Sequence, residues 1–221
     1  MTRRLEAVLW DMDGTLIDSE PAWFDAQADI VNRHGGTWVP ADAVALVGAD
    51  MATTVSAMQA AGADLASDDM SRLLSEAVIS TLRQAVSWRP GALELVNELS
   101  RAGIAQAIVT TSSHAMTQVV VDALPPGTIH VTVTSDDVQN GKPDPEPYLL
   151  AAAQLDCDIE GCVVIEDSVV GLTAGIASGA HVVGVPHDVD LPEPLGWTLW
   201  PSLRHRAVRE LENLMRTRTR H

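Results

Sequence analysis

The sequence predicts an α/β fold: an open parallel sheet with helices on both faces, and an all-helical segment inserted after the first strand. Three observations carry that expectation. Short apolar, β-rich runs alternate with helical patterns from residue 91 onward, as in strand–helix–strand units whose sheet is covered on both sides. Residues 19–86 break the alternation and read as helices with no strand between them. Four strand ends carry carboxylates, hydroxyls or a lysine, and an open sheet of this kind gathers ligands at the carboxyl ends of its strands.

The first element is the "AVLW" run, a short buried strand at Ala7–Trp10. "DMDG" follows at once. Asp11 and Asp13 would point the same way if the strand continued, because alternate residues share a face. Two carboxylates so placed repel each other unless something offsets them. A solvated turn at Asp13–Gly14 is the plain alternative, but it leaves the other strand ends unexplained. The inserted segment comes next, with helices in "PAWFDAQADIVNRHGG", "DMATTVSAMQAAG" and "DDMSRLLSEAVISTLRQAV". It closes at "SWRPG", where Pro90 and Gly91 mark a boundary. The expected division is therefore residues 1–18 with 87–221 as an α/β core domain, and 19–86 as a separate helical domain.

Beyond the boundary the alternation is regular. A helix is expected over 91–103, a strand over Gln106–Thr110, a helix over 114–124 and a strand over His130–Thr134. A helix over 145–155 follows, with Asp144 as N-cap and Pro145 at the first helical position. Then come a strand at Val163–Ile165, a helix over 168–179, a strand at Val182–Val185 and a short strand near Thr198–Trp200. Gly103 and Gly179 fall where glycine ends helices.

Composition sets the outer bounds. With 46% hydrophobic and 20% charged residues the 221-residue chain is globular rather than disordered. No apolar run approaches the roughly 20 residues that cross a bilayer, so no membrane partner is expected. A net charge of −16 argues against nucleic acid. The basic stretch "RHRAVRELENLMRTRTRH" (204–221) reads as a terminal helix with cations near its negative end. Too few residues precede Asp11 for a secretory signal, despite Arg3 and Arg4. Cys157 and Cys162 are expected as reduced thiols, which suits a cytoplasmic protein. A chain this acidic that handles anions needs a local positive device, and a metal ion is the obvious one.

The chemistry sits at the strand ends. The second strand runs into "VTTSSH", Thr110 to His114. After the third comes "SDDVQNGKPDPEPY", with Lys142, the only lysine of the chain, held between residues that restrict its backbone. The fourth ends in "VVIEDS", which places Glu166 beside Asp167. Taken together, "DMDGTLIDSE", "VTTSS", "GKPDPEPY" and "EDSVVG" resemble the motifs of the haloacid dehalogenase superfamily. The branch is that of the small phosphatases and β-phosphoglucomutase-like enzymes. The motifs span residues 9–171, and residues 19–86 lie where that branch carries an inserted helical cap that closes over substrate.

The resemblance implies a Rossmann-like core and a set of roles. Asp11 would be the nucleophile that forms an aspartyl phosphate. Asp13 would protonate the leaving alcohol and then activate water. Mg²⁺ would be held by the Asp11 carboxylate, the Asp13 main-chain carbonyl and Asp167, with Glu166 supporting the metal shell. The phosphoryl group would be bound by Thr110, Lys142 and backbone N–H groups near Met12 and Thr111. An acid at Asp13 disfavours dehalogenase activity. The expected function is a Mg²⁺-dependent phosphatase acting on a small phosphomonoester, a sugar phosphate or a nucleoside monophosphate, in a monomer or weak homodimer.

The alternative is a β-phosphoglucomutase-like phosphosugar mutase. Trp23 stands where those mutases carry a cap histidine, and Met51 near their cap arginine, so both departures point away from mutase activity. Trp23, Ser112 and His114 are candidate substrate contacts. For Trp23 the plainer reading is cap core, and for His114 an exposed surface histidine. From another class, a non-catalytic binding protein could use the same scaffold; metal-dependent hydrolysis of a phosphate ester separates the two.

Overall fold

A computed structural model describes residues 4–188 and 190–217. Arg3 and residues 218–221, the end of the expected terminal helix, lie outside them. The chain divides into two compact units, Met1–Asp18 with Trp88–His221, and Ser19–Ser87.

The first unit is built on one parallel sheet. Its strands are β1 (Ala7–Trp10), β2 (Ala105–Val109), β3 (Val131–Val133), β4 (Cys162–Glu166), β5 (His181–Gly184) and β6 (Thr198–Leu199), in the order β3-β2-β1-β4-β5-β6. β1 is therefore central, with β2 on one side and β4 on the other. Chain order runs outward from β1 to β3, then crosses back to β4, so the reversal falls at β1, between its two neighbours. That is where open α/β sheets bind ligands. The register aligns the strand ends: Trp10 lies opposite both Ile108 and Ile165.

Every residue of β1 and β4 is buried, which explains their continuous apolar character. The helices of this unit are α5 (Ala92–Ala102), α6 (His114–Asp122), α7 (Glu146–Gln154), α8 (Val169–Ser178) and α9 (Val208–Thr217). α5 turns Leu95, Val96 and Leu99 inward and packs on β2 and α9. α7 lies against β1, β2, β3 and α8. Gly103 and Gly179 close α5 and α8 in the left-handed conformation, as expected of helix-ending glycines. Asp144 is displaced by one position from its expected place: Pro145 is the N-cap of α7, and the Asp144 carboxylate accepts the N–H of Glu146. The short side chain satisfies a donor two residues ahead, so the helix starts one residue later.

The second unit is wholly helical among its described elements: α1 (Glu20–Arg33), α2 (Pro40–Val44), α3 (Met51–Ala60) and α4 (Ser67–Gln84). α4 buries Met70, Leu74, Val78 and Leu82, one residue per turn along one face, and packs against α1 and α3. α2 was not among the expected helices. It spans five residues, too few to display an amphipathic repeat. Arg33 pairs with Asp29, and Arg72 with Asp69 and Glu76, all one turn apart on their own helices.

Candidate active site

β1 delivers Asp11 to the switch point. Its amide continues the ladder by donating to Ile165 O at 3.0 Å, so Asp11 stands beside the end of β4. The chain then turns: the N–H groups of Leu16 and Ile17 donate to Met12 O, and Gly14 adopts φ +83°. That conformation disfavours a side chain, and a Cβ at Gly14 would also run into the Asp167 carboxylate. Asp11 and Asp13 consequently reach different partners. Asp11 faces Lys142, with its carboxylate near those of Glu166 and Asp167. Asp13 accepts the Ser112 hydroxyl at 2.6 Å and the Thr110 hydroxyl at 3.4 Å, both on Oδ2.

Lys142 is the centre of charge balance. Nζ donates to Asp11 Oδ1 at 2.7 Å, Glu166 Oε1 at 2.6 Å and Val109 O at 2.8 Å. These use all three of its donors, and its side chain is only 3% exposed. Burial opposes the charge, but Asp11 and Glu166 together outweigh it and raise the lysine pKa. Lys142 therefore stays protonated.

β4 delivers the other two acids. Glu166 is fully buried, and both its oxygens are engaged. Oε1 accepts from Lys142 and from the Tyr148 hydroxyl at 2.7 Å. Oε2 accepts from the Ser168 N–H and hydroxyl. A Cβ at Gly171 would occupy the space of that carboxylate, so glycine there lets α8 approach it. Asp167 accepts the Thr15 hydroxyl at 3.1 Å.

Asp11, Glu166 and Asp167 each present a carboxylate oxygen within 4.8 Å of the others. Three acids against one ammonium leave an excess of negative charge, which favours the protonated form of the buried carboxyls. Burial, then Glu166, holds the Asp11 carboxyl well above the ordinary range, against the pull of Lys142. The same two causes push Asp167 up to about 7, although Thr15 and Lys142 pull the other way. A divalent cation relieves this strain, and an all-oxygen carboxylate set suits a hard ion such as Mg²⁺. The residues present fit that ion.

The remaining expected residues separate. Thr110 is buried and Met12 fully so; Thr111 is exposed. A cavity of about 170 Å³ opens beside Thr110, Thr111 and Lys142, walled also by Ser135 and Gln139. His114 begins α6 and is exposed; its backbone N–H donates to Asp136. Trp23 is half-buried on α1 of the helical unit. Thr15, Tyr148, Ser168 and Gly171 lie within the quoted motifs, but the sequence assigns them no role in the site.

Residues 8–185 match the family model of haloacid dehalogenase-like hydrolases. Hexitol phosphatase A of Escherichia coli is 36% identical over 194 residues, covering 86% of this chain and 87% of that protein. Validoxylamine A 7'-phosphate phosphatase of Streptomyces hygroscopicus subsp. limoneus is 31% identical, covering 84% and 88%. Among solved structures, CbbY from Rhodobacter sphaeroides in complex with xylulose-(1,5)bisphosphate superposes with a TM-score of 0.82 at 26% identity, covering 94% of this chain and 99% of that one. With the motifs in order, the parallel sheet as expected and phosphatases among its relatives, this chain is a hydrolase that belongs to the haloacid dehalogenase-like family.

Proposed function

We propose that this enzyme, a phosphoric monoester hydrolase, is a Mg²⁺-dependent phosphatase of small sugar or polyol phosphates that works through a phosphoryl group carried on Asp11. The observation that carries the reading is Lys142 Nζ bonded at 2.7 Å to Asp11, beside the Asp167 carboxylate. The substrate class is supported by the relatives that act on hexitol and validoxylamine phosphates. The neutral hydrogen-bonding groups of Ser135, Gln139 and Thr111 around the cavity suit hydroxyls better than a second anion.

In this reading the metal, when bound, neutralises charge on the phosphoryl oxygens. Asp11 and Asp167 would hold it, with the Asp13 main-chain carbonyl as the family resemblance implies. An Asp11 oxygen attacks phosphorus, and the bond to the leaving alkoxide breaks as Asp13 supplies a proton. Water then loses its proton to Asp13 and attacks phosphorus, releasing inorganic phosphate and restoring Asp11. Lys142 offsets the Asp11 charge so that an anionic ester can approach. Thr110 re-aims its hydroxyl from Asp13 to a phosphoryl oxygen.

Mutase activity is disfavoured by the helical unit, because a mutase must hold two phosphates. Of the three arginines in residues 19–86, Arg33 and Arg72 are already paired with neighbouring acids on their own helices, which leaves Arg83 at the end of α4. The test is phosphate release from a panel of phosphorylated polyols and sugars, with Mg²⁺ and with EDTA. Asp11→Asn is expected to abolish turnover while the far-UV circular dichroism stays native. Undiminished activity in that variant would refute the assignment of the nucleophile.

A further inference from the structure

The chain contains one lysine and one tyrosine, and both meet on a single oxygen. Tyr148 is fully buried on α7. Its hydroxyl donates to Glu166 Oε1 at 2.7 Å, the oxygen that Lys142 Nζ reaches at 2.6 Å. The lysine nitrogen also lies 5.0 Å from the centre of the tyrosine ring. Ser168 occupies the other oxygen of Glu166. Nothing in this arrangement brings the phenol to Asp11, and its fully buried side chain is not positioned to meet a substrate.

Its effect must therefore pass through Glu166. A carboxylate oxygen that accepts two donors shares its charge between them. The phenol fixes where Oε1 sits and takes part of its accepting capacity, which leaves the ammonium balanced between Glu166 and Asp11. Without the hydroxyl, Oε1 is free to turn wholly to Lys142, and the bond from Lys142 to the nucleophile weakens. We propose that Tyr148 is a positioning residue which, through Glu166, holds the Lys142 ammonium against Asp11. This rests on the phosphatase reading for its kinetic consequence but not for its geometry.

The single lysine makes the geometry observable. Labelling with [ζ-¹⁵N]lysine gives one ammonium resonance, and Tyr148→Phe, which keeps the ring, is expected to shift it. In a Glu166→Gln background the same change is expected to leave the resonance where Glu166→Gln alone puts it. Because Tyr148 is also unique, growth on 3-fluorotyrosine replaces this phenol alone with a stronger donor. The resonance should then move in the opposite direction, in a protein whose fold has not been challenged.

For activity, Tyr148→Phe is expected to lower kcat about tenfold, the value of one charge-assisted hydrogen bond, with KM changed by less than about twofold. It should add no further loss in Glu166→Gln. An unmoved lysine resonance in both Tyr148→Phe and the fluorinated protein overturns the proposal. So does an equal additional kcat loss in the Glu166→Gln background. A wild-type protein that turns over no phosphate ester, yet shows the expected resonance shifts, would sink the phosphatase reading and leave the positioning role standing.

Discussion

Replacing Asp167 by asparagine tests whether the acidic cluster is built around a cation. The Asp167 pKa rises from its ordinary 3.8 to about 7, chiefly through burial and the neighbouring Glu166. Between those values the folded chain binds a proton that the unfolded chain releases. The contribution of Asp167 to stability without metal is therefore full below about pH 4 and is lost as pH rises toward 7. Each pKa unit is worth about 1.36 kcal/mol, so the loss reaches roughly 4 kcal/mol at pH 8. Asparagine keeps the side-chain shape and an oxygen for the Thr15 hydroxyl, but has no charge to bury. In EDTA at pH 8, Asp167→Asn is expected to be more stable than the wild type by up to about 4 kcal/mol, a difference that vanishes near pH 4. Urea denaturation at the two pH values measures it. Mg²⁺ should reverse the order at pH 8 by stabilising the wild type alone, since only a protein that binds the ion in its native state gains from it. An Asp167→Asn protein no more stable than wild type at pH 8 in EDTA would refute the reasoning. So would one that Mg²⁺ stabilises as much as the wild type.

Two further substitutions probe the support around the acids. Thr15→Val removes the hydroxyl that orients Asp167. It is expected to weaken Mg²⁺ binding by about tenfold, as loss of an outer partner of a metal ligand does, seen as a displaced Mg²⁺ titration of the melting temperature. Gly171→Ala puts a methyl group where the Glu166 carboxylate lies. It should destabilise the chain by roughly 1–3 kcal/mol in urea denaturation and lower kcat, because Glu166 cannot move without releasing Lys142.

The inner strands β1, β2, β4 and β5 were legible because nearly all their residues are buried, so composition alone marks them; strand ends differ by at most a residue, where hydrogen bonding rather than hydrophobicity decides. Asp11 and Asp167 were legible for a related reason: charged groups stand out at the ends of apolar strands, whereas Lys142 stood out as the only lysine of the chain, set in a loop between glycine and proline. Their supports were not. Thr15 reads locally as part of a turn, and its partner is 152 residues away. Tyr148 reads as one more apolar position of a helix. Gly171 reads as a weak point in α8, since only the fold reveals the carboxylate that fills its missing side chain. Polar groups that act on other polar groups leave no periodic trace in the chain.

Apart from an α-amino group, these 221 residues offer reagents one primary amine, that of Lys142. In the folded state that amine has every proton committed and almost no contact with solvent. Acylating agents and aldehydes should thus spare Lys142 in the native enzyme and modify it only when the carboxyl end of the sheet comes apart. Mass spectrometry of a single peptide would then time that opening, with no probe added to the molecule.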